Sequence, residues 1–118
     1  MKTASFFKVW SPRIGGRICI ARYAPKTFPE GFVMFPCLAP GTWFNKLGHD
    51  EYIKRYKEEV LKYLDPQKVW DGLHEAAQGS EPILLCYEKP PFTLANFCHR
   101  RIVAEWFKET LGKDVPEL

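Results

Sequence analysis

The chain has 118 residues, 46% of them hydrophobic and 26% charged. That is room for one core and too apolar for a disordered tail. No stretch reaches the roughly 18 apolar residues of a membrane helix, and Met1–Lys8 lacks the apolar run and small-residue cleavage site of a signal peptide. A single domain over 1–118, cytoplasmic and without a membrane partner, is expected.

The net charge is +3, unevenly placed. Residues 1–46 hold seven Lys/Arg against one acid, Glu30, a local +6; residues 47–118 hold ten against thirteen acids, a local −3. A basic half attracts phosphates, and nucleic acid is a conceivable partner. However, Lys2, Lys8, Arg13, Arg17, Arg22, Lys26 and Lys46 are dispersed and form no recognition motif. Cysteines stand at 19, 37, 86 and 98 with no C-x-x-C spacing. Without a secretion signal they are expected as free thiols; Cys19, inside an apolar run, reads as core, and Cys37 carries no role.

In chain order, Ser5–Trp10 is aromatic and β-prone, and Gly15-Gly16 makes a turn. Arg17–Tyr23 has an uninterrupted apolar centre, as in a strand buried on both faces, and Phe32–Phe35 is a further short strand. Tyr52, Ile53, Tyr56, Val60, Leu61 and Leu64 fall on one helical face behind Asp50 as N-cap. Asp65-Pro66 opens a second helix that buries Val69, Trp70, Leu73, Ala76 and Ala77 and stops at Gly79. Pro82–Glu88 is the strongest strand signal, short and apolar between turn residues. A third helix, capped by Asn96, spans Phe97–Leu111 and ends at Gly112; Val115-Pro116 adds an edge strand. Leu85 and Trp106 are expected to face each other between strand and helix. This order predicts a small α/β domain, a mixed or mainly parallel sheet packed by about three helices.

Ligands in open α/β sheets bind beyond the carboxyl ends of strands, which here means Glu88–Arg101. Cys86 and Glu88 share a strand face, and the loop returns Cys98, His99, Arg100 and Arg101 to the strand end. A cysteine at a helix N-terminus beside Arg and His gains thiolate character. Histidine and Glu88 can carry protons, and arginines with free helical N–H groups hold anions. Cys98 is thus a candidate nucleophile or redox thiol, with His99 and Glu88 as catalytic proton carriers. Arg100, Arg101, Cys86 and, at the end of its own strand, Arg22 are candidate ligand-binding residues. Replacing Arg100 is expected to weaken anion binding without disturbing the fold. Packing competes with these roles: Cys98 and His99 stand four residues before the apolar Ile102 and Val103. Cys86, Glu88, Cys98 and His99 also form a conceivable zinc set, although neighbouring helical side chains such as those of Cys98 and His99 diverge by about 100°.

Leu84-Leu85-Cys86-Tyr87-Glu88 followed by Phe97-Cys98-His99-Arg100-Arg101 resembles the C-terminal signature of the bacterial and phage family called domain of unknown function 488. Ile18–Arg22 before Pro25, Leu38-Ala39-Pro40, and Tyr52-Ile53 ahead of Tyr56 fit a short-form member. The linker Lys89–Asn96 is longer than the family's usual step. The resemblance implies a small cytoplasmic α/β domain and no particular activity. The leading functional expectation is a small anionic or nucleotide-like ligand, bound or processed at the Cys-His-Arg site by a cysteine- or histidine-dependent enzyme without a cofactor. The alternatives are a non-catalytic nucleotide- or nucleic-acid-binding module and a metal-binding domain.

Overall fold

Strands that are apolar throughout need cover on both faces, and that requirement organises the molecule. The computed structural model describes all 118 residues. Four strands, β1 (Lys2–Ser5), β2 (Arg17–Cys19), β3 (Val33–Met34) and β4 (Ile83–Cys86), form one sheet in the order β1-β4-β2-β3. Every pairing is parallel, with Thr3 opposite Leu84 and Ile18 opposite Leu84 on its other side. The strongest apolar run therefore lies inside the sheet. The fold is α/β.

Alternation along β4 sends successive leucines into different cores. Leu84 joins Ile18 against residues of α1 (His49–Glu59), α2 (Pro66–Ala76) and α3 (His99–Leu111). Leu85 joins Ala4 and Cys19 against Phe6, Val9 and Phe28. The helices cover one face, and an aromatic turn and loop cover the other. Trp106 packs on the helical side, so the expected Leu85–Trp106 contact is replaced by Leu84 on the helices and Leu85 on the opposite face. The error was one residue of register, which flips a side chain across the sheet.

Other boundaries shift for local reasons. Only Ser5 of the Ser5–Trp10 segment is strand. Its hydroxyl accepts the N–H of Phe7 (3.3 Å) and opens a 3-10 turn over Phe6–Val9. The first helix starts after Gly48 rather than after Asp50 and stops at Glu59. A 3-10 turn over Leu61–Tyr63 then buries Leu61 before Asp65 caps α2 by accepting the N–H groups of Gln67 and Lys68. α3 ends as expected: Gly112 is left-handed (φ 66°) and its N–H reaches Lys108 O (3.1 Å), the αL closure of a helix. At Gly16 (φ 75°) a Cβ would collide with the Glu81 carbonyl, which explains glycine at the entrance to β2.

The open edge of β1 is covered by the C-terminal segment. Thr3 N–H donates to Pro116 O (2.9 Å) and Leu118 N–H to Thr3 O (2.7 Å), with a parallel bridge from Thr3 to Glu117. No helix is long and apolar enough to cross a membrane.

Leu84 and Leu85 are both fully buried but in separate clusters. Leu84→Ala and Leu85→Ala should each cost about 2–5 kcal/mol in urea unfolding. A loss below about 1 kcal/mol at either site would contradict the two-faced sheet.

Candidate functional site

The carboxyl ends of β2 and β4 lie side by side, and α3 begins beneath them. Pairing continues past β2, where Ile20 N–H donates to Leu85 O (3.1 Å). The Ile20 carbonyl then accepts the Nε2–H of His99 at 2.7 Å. A carbonyl only accepts, so His99 carries its proton on Nε2 and its Nδ1 lone pair is free. Nδ1 lies 3.9 Å from Cys98 Sγ. Burial lowers the His99 pKa to about 4 against the lift from the Ile20 bond, with Arg100 lowering it further. The imidazole is neutral near pH 7.

Cys98 is the N-cap of α3 with extended backbone (φ −140°, ψ 139°), and its side chain makes no capping bond. Asn96, expected there, serves the loop before it: its Nδ2 donates to Lys89 O (2.7 Å) and Pro91 O (2.9 Å), and its N–H bonds Thr93. The longer linker thus has its own internal hydrogen bonds, and the cap moves two residues on. Cys98 then meets Cys86 at the end of β4, and the two are joined as a disulfide. This corrects the expectation of four free thiols, because strand end and cap converge. The acidity expected of the Cys98 thiol consequently applies only to the reduced protein. Cys19 is buried, its thiol pushed up to about 11 by burial against the Ala21 carbonyl bond, which makes it the inert core residue its sequence suggests. Cys37 is free and exposed.

Arg100 is fully buried, and every terminal nitrogen has a partner. Nε and Nη2 grip the Glu117 carboxylate at 3.0 and 2.8 Å. Nη2 also reaches Glu88 O (2.7 Å), Nη1 reaches Cys86 Sγ (3.2 Å), and the guanidinium lies 4.9 Å from the centre of the Phe92 ring. The anion against Arg100 is therefore a carboxylate of its own chain. Its removal would leave Glu117 half-buried and unpaired, so the expectation that Arg100 can be replaced without disturbing the fold does not hold. Arg101 turns away to Thr3 Oγ1 (2.9 Å) and Val115 O (2.7 Å).

A cavity of about 490 Å³ opens beside this cluster, within the range of small-molecule sites. Cys86, His99, Glu88 and Arg22 all line it, whereas Cys98 lies behind, toward a neighbouring cleft, and Arg100 and Arg101 do not line it. Arg22 donates from Nη1 to Pro40 O (3.3 Å), while its buried Nε has no partner. Sequence reasoning missed the rest of the lining, notably Tyr23, Phe44, Asn45 and Tyr52. Tyr52 looked like one more apolar position of α1, and it stays protonated because burial and then the Glu88 charge push its phenol upward. Glu117 was also missed; an acid near the chain's end carries no local sign that it will return to a buried arginine. The three atoms able to hold a metal are Cys86 Sγ, Cys98 Sγ and a His99 nitrogen, all within 4.8 Å of one another; Glu88 is not among them.

A family model described as the active DUF488-N3 subclade matches residues 2–111. The chain belongs to the DUF488 family. No curated protein and no solved structure matches this DUF488 chain. Four of the ten residues that carried the C-terminal resemblance, Cys86, Cys98, His99 and Arg100, meet at the buried junction of β4 and α3.

Two outcomes follow. With the His99 pKa near 4 in the folded chain and 6.5 ordinarily, the unfolded chain binds the proton first as pH falls. Stability present above about pH 6.5 should then be lost toward pH 4, on the order of 3 kcal/mol in total. Urea unfolding across that window, with an NMR titration of the imidazole in the metal-free protein, checks it; His99→Gln should flatten that part of the profile. Glu117→Ala should cost about 3–5 kcal/mol by leaving the Arg100 charge buried and unpaired. An unfolding curve matching the parent would remove the ion pair from any structural role.

Proposed function

We propose that the protein binds a small anionic, nucleotide-like ligand in the cavity at the ends of β2 and β4 and acts on it through the cysteine–histidine cluster on the cavity's inner wall. The observation that carries this reading is the meeting of Arg22, Glu88, Cys86 and His99 on a single 490 Å³ cavity, with the Arg22 Nε buried and unpartnered. An unpaired buried donor on a cation is costly, and an anionic oxygen of a ligand would satisfy it. Arg22 is the arginine whose position supports ligand contact, since Arg100 and Arg101 serve the chain itself.

The cavity rim supports a planar group beside the anion. Tyr23, Phe44 and Tyr87 all keep a third or more of their surface exposed, and all three line this cavity. Aromatic faces left open to solvent at a cavity mouth suit stacking. Asn45 and the Glu88 carboxylate offer donors and acceptors at the edge of a stacked ring. On the inner wall, neutral His99 can take a proton at Nδ1, because its Nε2–H is committed to Ile20 O. Cys86 is the sulfur nearest the ligand side, and Cys98 stands behind it.

Two of the seven bases of the N-terminal half are engaged within the chain itself. Arg17 is wholly buried, with donors to Ile14 O and Glu30 O, and Lys2 lies 3.9 Å from Glu81.

A thermal-shift screen of nucleoside mono- and diphosphates should give a concentration-dependent rise in Tm for the parent protein. Arg22→Ala should weaken the best ligand by about 1.5–3 kcal/mol, roughly tenfold to a hundredfold in Kd, with unchanged stability without ligand. Unaltered affinity in that variant, or no ligand across the screen, would overturn the proposal.

A further inference from the structure

The reduced form of the same cluster has the composition of a zinc site, and its geometry removes the objection that the sequence raised. Within a helix, the side chains of Cys98 and His99 would diverge. Cys98, however, is not helical: as N-cap it has extended backbone, and His99 is the first helical residue. The change of backbone at that junction turns the two side chains toward each other, to 3.9 Å between Sγ and Nδ1. Bond lengths of about 2.0–2.3 Å to tetrahedral zinc put S and N donors roughly 3.5–3.8 Å apart. Cys86 Sγ, from the end of β4, completes a set of two sulfurs and one imidazole nitrogen, all buried and within 4.8 Å of one another.

The surroundings match what metal ligands require. A ligating imidazole donates its other N–H to a carbonyl, fixing ring and tautomer, and His99 Nε2 does so to Ile20 O at 2.7 Å. A ligating thiolate is steadied by N–H donors, and Arg100 Nη1 lies 3.2 Å from Cys86 Sγ. Cys86 and His99 also line the cavity. We propose that the reduced protein binds one Zn²⁺ through Cys86 Sγ, Cys98 Sγ and His99 Nδ1, with a fourth, exchangeable position open to the cavity. Glu88 lies on that cavity outside the ligand set and is a proton acceptor for water at the fourth position. The proposal shares the cavity of the functional reading and does not depend on its ligand.

The disulfide and the metal are alternatives. Two equivalents of a thiol reductant convert the disulfide to two cysteine thiols and one oxidised reductant disulfide. Zn²⁺ then replaces the two thiol protons, which are released to solvent. Oxidation of the thiolates back to the disulfide takes two electrons from sulfur and frees the ion.

The test uses the full chain, reduced anaerobically with a phosphine and supplied with zinc alone or cobalt alone. The expected result is one zinc per chain after desalting, two protons released per zinc, and full release on oxidation with diamide. The cobalt form should show the intense visible bands of four-coordinate Co²⁺ and a thiolate charge-transfer band. Cys86→Ser and His99→Gln, each checked for folding by circular dichroism, should lose at least tenfold in zinc affinity, whereas Glu88→Gln and Arg22→Ala should retain one zinc. Should those two ligand variants not fold, the cobalt spectrum of the parent decides. Substoichiometric zinc in folded, reduced parent protein, a six-coordinate cobalt spectrum, or zinc binding unaffected by Cys86→Ser would overturn the proposal. Because Arg22→Ala separates nucleotide binding from metal binding, failure of one reading is distinguishable from failure of the other.

Discussion

A fully buried guanidinium must find its compensation inside the protein, and the way Arg100 does so fixes the geometry around it. Its two-point grip on Glu117 draws the C-terminal segment back across the molecule. Glu117 also accepts from Thr3 Oγ1 at 2.6 Å, so the ion pair is fastened to β1 as well. The remaining donors hold the Glu88 carbonyl and the Cys86 sulfur at the exit of β4. One side chain thereby relates the start of α3, the end of β4, the sheet edge and the tail. Burying such a pair is not itself a strong source of stability. Its consequence is positional: the contacts of this one pair hold the start of α3, the exit of β4, β1 and the C-terminal segment together.

The sheet determines where that junction stands. With all strands parallel and β4 between β1 and β2, two strands deliver their carboxyl ends to the same point. The segment Cys98-His99-Arg100 then works as three successive ties. Cys98 reaches β4, His99 reaches the backbone beyond β2, and Arg100 reaches the tail. The chain changes from extended to helical between Cys98 and His99, which keeps Cys98 Sγ and His99 Nδ1 3.9 Å apart while His99 Nε2 reaches Ile20 O and Arg100, the next helical residue, reaches Glu117.

Much of this was legible beforehand. The unbroken apolar run of β4 announced a central strand, Asp65-Pro66 and Gly112 marked helix ends by capping chemistry, and the convergence of Cys86 with Cys98 and His99 followed from strand-then-helix order. Signals that depend on a single residue's register were weaker. Leu84 and Leu85 are equally apolar, so nothing local says which faces the helices. Asn96 is as good a cap by type as Cys98 is a poor one, yet the Lys89 and Pro91 carbonyls and the Thr93 hydroxyl claim its donors first. Long-range polar pairing was the least visible: Glu117 meets Arg100 and Tyr52 meets Glu88's field only after the chain has folded.

Charge decides which states the sulfur pair can occupy. The Arg100 cation is already matched by Glu117, and His99 is neutral near pH 7 because burial and Arg100 oppose its protonation. Two free thiolates beside them would thus leave two negative charges in a buried site, with only a shared N–H from Arg100 in compensation, a costly condition. A disulfide, a pair of protonated thiols, and two thiolates on a divalent cation all leave the site neutral. The same pairing that anchors the fold therefore withholds from the cysteines the positive charge that a lone thiolate nucleophile would need. It favours chemistry in which the sulfurs act together, bonded to each other or to a common metal.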